Sequence, residues 1–186
     1  MYKKGPDFMR YFIFFLSDIM LGYVLQAIGC TICLFDVTNQ DFRSRKFWLT
    51  TLIFSAIAFV IRMAYNLKFI DFGFHTVIIW ILFILVAIGF NKLPVMQSVG
   101  SILLSGVLIT VAELITAMVL ILTYGNEKFD SLMNNTATLE GATTKAVLGI
   151  PANILFVLIV SLIYFIRLRM RKKKLVAETQ ANVEQN

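Results

Sequence analysis

Four ionisable side chains interrupt long apolar stretches of this sequence: Asp18, Arg62, His75 and Glu113. Charge in a bilayer core is costly, so such residues face a bundle interior, pair with one another, or mark a ligand or ion site. A carboxyl can hold or pass a proton, a guanidinium can hold an anion, and an imidazole can do either. Each also has a bland reading. Arg62 can snorkel to headgroups, His75 can sit at the interface, and Asp18 can be protonated or bonded to a neighbouring helix. Glu113 is harder to dismiss, because Val111, Ala112, Leu114 and Ile115 flank it and its depth rules out easy snorkelling. Its opposite charge and similar depth to Arg62 predict an ion pair across the second and fourth apolar segments.

Other reactive types form no catalytic set. Cys30 and Cys33 are three apart and share a helix face. A redox Cys-x-x-Cys normally opens a helix beside a sheet in a soluble fold, so within an apolar helix they read as packing residues, with no disulfide. The single His leaves a zinc site short of ligands, and no metal or other cofactor is expected. There is no Ser/His/Asp or Cys/His arrangement of plausible spacing and no phosphate loop, which argues against an enzyme. Asn134-Asn135-Thr136 is a glycosylation sequon that matters only in a eukaryotic source.

The elements that must position these side chains are membrane helices. Of 186 residues, 59% are hydrophobic, and the mean hydropathy is +0.80. The candidate spans are Phe8–Phe35, Trp48–Leu67, Phe72–Phe90, Ser98–Thr123 and Ala146–Ile166. A helix needs about 20 mainly apolar residues to cross a core of about 30 Å. Phe72–Phe90 just meets that length, and Phe8–Phe35 exceeds it and should tilt or protrude. The runs are continuous rather than alternating, which excludes an outer-membrane barrel. The expected fold is an all-α polytopic bundle: a transmembrane domain over 1–174 and a polar cytoplasmic tail over 175–186. A four-span version would have to demote Phe72–Phe90 or the Arg62-bearing segment.

The last span runs into Arg167, Arg169, Arg171, Lys172, Lys173 and Lys174. The positive-inside rule places that end in the cytoplasm, and five spans then put the N-terminus outside. Asp36–Phe47, with Arg43, Arg45 and Lys46, and Asn91–Gln97, with Lys92, fall inside. Lys3, Lys4 and Arg10 fall outside, against the rule locally. The net charge of +6 thus reads as membrane anchoring, with attraction to anionic headgroups, and not as nucleic-acid binding. In this layout Asp18, Arg62, His75 and Glu113 all lie in the outer half. Gly149-Ile150-Pro151 opens the fifth span, where proline suits a first turn. Gly100, Ser101, Ser105, Gly106 and Thr110 suit close helix packing.

This order of features resembles the membrane sensor region of accessory-gene-regulator-type, peptide-sensing histidine kinases of Gram-positive bacteria. Arg62, then Gly73-Phe74-His75-Thr76, Glu113, and Gly149-Ile150-Pro151 before a basic tail carry it, over Trp48 to Lys174. Those kinases continue into a phosphoryl-accepting helix and an ATP-binding domain, whereas Leu175–Asn186 here contains no His. The resemblance therefore implies ligand sensing without kinase activity, in a free-standing protein or a piece of a longer chain.

The expected function is a non-enzymatic sensor or regulatory protein of the bacterial plasma membrane. It would bind an extracellular peptide or small apolar signal near Arg62, His75 and Glu113. It would signal through the last helix to a cytoplasmic or membrane partner, or as a homodimer. The rivals are an assembly subunit of a membrane complex, with small-residue faces and a basic tail, and a small transporter or its substrate-binding subunit. A transporter needs polar residues continuing to the inner side, where spans two to five offer few.

Overall fold

A computed structural model describes residues 22–66, 69, 74–134 and 139–184. The described residues form six helices and no strand: α1 (Val24–Val37), α2 (Arg45–Asn66), α3 (Phe74–Gly89), α4 (Val95–Tyr124), α5 (Asn126–Asn134) and α6 (Leu139–Glu184). Phe8–Leu21 of the first expected span lies outside the described residues.

Short turns with defined chemistry join these helices. Thr38 caps the end of α1, its hydroxyl and its N–H both donating to the Leu34 carbonyl. Asn39 then turns the chain in the left-handed region at φ 55°, which Asn tolerates. The Ser44 hydroxyl accepts the Phe47 N–H at 3.4 Å and opens α2. Lys92, at φ 57°, and Pro94 separate α3 from α4, and proline has no N–H to leave unsatisfied at a helix start. Gly125, at φ 81°, ends α4.

The helices alternate in direction. α1 is central and packs on α2, α4 and α6; α3 packs on α2 and α4, and α4 on α6. One bundle end therefore gathers Tyr23, the end of α2 and the start of α3. The opposite end gathers Asp36, the start of α2, the loop after α3 and Arg167 of α6. Phe54 of α2 stacks on Phe83 of α3 at 4.0 Å between centroids. A Cβ on Gly29 of α1 would stand 2.2 Å from the Phe156 ring of α6, and one on Gly106 of α4 would stand 2.6 Å from Trp80 of α3. Both glycines thus permit a helix approach that a larger residue would block.

The distribution of polarity is inverted relative to a soluble bundle. Thr31, Thr50, Thr51, Asn91, Ser98, Ser101 and Ser105 are buried. Several return their hydroxyl to a carbonyl one turn back, as Thr31 does to Ala27, Thr51 to Phe47 and Ser105 to Ser101. Leu52, Leu122, Leu158 and Phe165 stand exposed, Leu122 at 84%. Apolar surface on this scale needs an apolar solvent, and a helix is the open-ended element that satisfies its own backbone there. α2, α4 and α6 each contain a segment long and apolar enough to cross a membrane, and α1 and α3 are shorter apolar helices. At 16 residues, α3 rises about 24 Å. The chain is a helical membrane bundle.

Three sequence expectations change. Pro151 lies inside α6, well beyond its first turn, because the helix begins at Leu139. The stretch Tyr124–Lys145, which the sequence leaves as a connection between the expected spans Ser98–Thr123 and Ala146–Ile166, holds α5 and the first turns of α6. On α5, Phe129, Leu132 and Met133 are half-buried while Glu127, Lys128, Asp130 and Ser131 are exposed, and it packs on α4 and α6. Asp36, read as the first loop residue, is in the last turn of α1 and buried. α6 also continues as one helix of 46 residues through the polar segment to Glu184.

Candidate functional site

Polar side chains collect at both ends of the bundle. At the first end, Arg62 occupies the penultimate turn of α2 and is half-buried. Its guanidinium carbon lies 5.0 Å from the centroid of the Tyr23 ring, immediately before α1. This is within cation–π range. Its Nε is buried without a hydrogen-bond partner. Tyr65, nearly one turn on, stacks on His75 in the first turn of α3, with centroids 4.6 Å apart and planes at 29°.

Glu113 lies on an exposed face of α4. Among the described residues no ion pair joins it to Arg62, although the Arg62 charge reaches both Glu113 and His75. The expected pair is not formed for a reason of packing: α2 and α4 do not lie against each other, because α1 and α3 separate them. Arg62 and His75 are thus brought together, Glu113 stands close but apart, and Asp18 lies outside the described residues.

The second end was not legible as a site in the sequence. Arg167 Nη1 donates to Asp36 Oδ2 at 3.0 Å. Arg171 Nη2 donates to the Asp36 carbonyl at 3.1 Å and lies 3.5 Å from Asp36 Oδ1. Spacing of four residues puts both arginines on one face of α6. Asp36 is 4% exposed, and both arginines are partly open. Beside this clasp lies an aromatic cluster. Phe35 meets Phe47 edge-on at 5.4 Å, and Phe42 meets Tyr164, one turn before Arg167, at 4.4 Å. Thr50 donates to Asn91 Oδ1 at 3.0 Å nearby, joining α2 to the loop after α3.

Two of the six expected anchoring bases, Arg167 and Arg171, therefore hold a carboxylate as well. Arg169 and Lys173 are exposed, and the side chains of Lys172 and Lys174 lie outside the described residues. The signal that could have found the clasp was the Arg167/Arg171 interval set against an acid at the end of the first span. Cys33 is buried and its thiol points at the Ser101 carbonyl at 3.5 Å; both cysteines are free. Among the described residues no cluster of His, Cys, Asp and Glu could hold a metal.

No family model, curated protein or solved structure matches this chain.

Proposed function

We propose that this chain is a non-enzymatic, sensor-like membrane protein of five spans, with its Arg62 end outside and its Asp36 end in the cytoplasm. A peptide or small apolar molecule presenting a carboxylate or carbonyl docks at the Arg62 end, and the response leaves through α6. The observation that carries this reading is Arg62, a half-buried guanidinium with an unbonded Nε and, among the described residues, no carboxylate paired to it. A guanidinium with open donors suits a carboxylate or carbonyl of a ligand, and Tyr23, Tyr65 and His75 supply the aromatic surroundings. The concentration of bases at the Asp36 end supports the orientation. The resemblance to peptide-sensing kinase membrane regions supports the ligand class.

α1 links the two ends. Tyr23 lies under Arg62, and Asp36 lies in the grip of α6. A ligand that draws Arg62 away from Tyr23 acts on α1 and so on the clasp. It shifts the balance between two helix arrangements only by its difference in affinity for them. Pro151 interrupts the α6 hydrogen-bond ladder and gives that helix a place to bend.

The second reading is a subunit of a larger membrane assembly. It is favoured by Glu113, an exposed carboxyl on an apolar face of α4, where a neighbouring helix could cover it.

Purification in mild detergent with mass spectrometry of retained small molecules and proteins separates the two. The sensor reading expects a retained peptide or small molecule, lost at least about tenfold in Arg62→Ala, as removal of a charged hydrogen bond implies. Retention unchanged in both Arg62→Ala and Glu113→Ala contradicts that site. A stoichiometric set of membrane subunits with no ligand selects the second reading.

A further inference from the structure

We propose that the Asp36 end of the bundle is a binding surface for anionic phospholipid headgroups, built jointly by α2, the loop after α3, and α6. It rests on the membrane placement of the chain, not on ligand binding at Arg62. Six exposed bases come together there from three segments distant in sequence: Arg43, Arg45, Lys46, Lys92, Arg169 and Lys173. Each segment changes sharply from basic to apolar at the same level of the bundle. In α2, Arg45 and Lys46 are followed by Trp48, 64% exposed, and Leu52. Lys92 precedes Val95 and Met96, which is 83% exposed at the start of α4. In α6, exposed Leu162 and Phe165 precede Arg169 and Lys173.

Three coincident borders define a headgroup plane, with the Trp48 indole at the depth where such rings settle. Acids there are few among the described residues. Asp36 is taken up by Arg167 and Arg171, and exposed Asp41 accepts the Arg43 N–H of its own turn at 2.9 Å. The clasp itself is one carboxylate between two guanidiniums. It carries a surplus positive charge, and the partial exposure of both arginines turns that surplus toward the same plane. A phosphodiester accepts such donors, and each base near an anionic surface contributes roughly fivefold in partitioning. A zwitterionic headgroup offers no net charge to match.

The test uses the full chain reconstituted in equal parts phosphatidylglycerol and phosphatidylcholine. Patches are excised with a styrene–maleic acid copolymer, and co-isolated lipid is counted by mass spectrometry. The surface predicts phosphatidylglycerol enriched at least about threefold over the bulk ratio, falling as NaCl rises from about 0.1 to about 1 M. R43Q/R45Q/K46Q/K92Q should lower the enrichment toward the bulk ratio, leaving only what Arg169, Lys173 and the clasp supply, while R43K/R45K/K46R/K92R should keep the enrichment. Asp36→Asn should raise it by freeing both arginines. Salt dependence in the native chain stands in should the glutamine variant not fold. Equal recovery of the two lipids, enrichment insensitive to salt, or an acidic protein held at this end without enrichment would each overturn the proposal.

Discussion

Asp36 sits where its own helix disfavours it. The last turn of α1 is the negative end of the helix dipole, and the side chain is buried besides. Arg167 and Arg171 answer both problems, one at the carboxylate and the other at the backbone carbonyl and the second oxygen. Leaving a fully buried charge unpaired costs about 3–5 kcal/mol. Here the guanidiniums are partly exposed, so Asp36→Ala should cost less, about 2 kcal/mol. Thermal unfolding in mild detergent should show that loss. In a cycle with Arg167→Ala, the double variant should lose less than the sum of the singles; strict additivity would mean the clasp carries no coupling. The ionisable residues themselves were legible because charge is rare in apolar runs. The partner of Arg62 was not, since equal depth along two helices does not say that those helices touch. α1 and α3 stand between α2 and α4.

At the scale of helices, apolar run length located α2 to α4 to within a few residues, because a bilayer demands length and little else. The start of α6 was missed. After Leu139, its first residues, Glu140 to Lys145, are polar or small and join the helix by continuing a hydrogen-bond ladder already committed downstream. Proline then reads as an opening residue when it is an internal one. Gly100 and Gly106 were read together as packing residues and Gly29 was not singled out; only their neighbours separate the three. Gly29 faces Phe156, Gly106 faces Trp80, and Gly100 faces open space. Gly29→Ala and Gly106→Ala should therefore each destabilise by about 1–3 kcal/mol through overpacking, and Gly100→Ala should not destabilise at all. Phe156→Leu should relieve much of the Gly29→Ala loss. Thermal melts of the five variants check this, and equal behaviour of the three glycine sites would contradict the helix approaches described above.

For the whole molecule, the proposed sensing role needs two ends with different tasks on different sides of the membrane. Arg62, Tyr65 and His75 form one end, and the Asp36 clasp and its surrounding bases form the other. Charge bias along the sequence argues for one orientation, while Lys3, Lys4 and Arg10 pull against it. Labelling in intact cells with a membrane-impermeant thiol reagent decides between them most directly. In a Cys30→Ala/Cys33→Ala background, Phe69→Cys reports on the Arg62 end, where Phe69 is 80% exposed. Lys173→Cys reports on the other. The account predicts that the Phe69→Cys protein labels in intact cells and the Lys173→Cys protein only after permeabilisation. The reverse pattern, or both positions on one side, would contradict a ligand received at Arg62 from outside and a response leaving through α6.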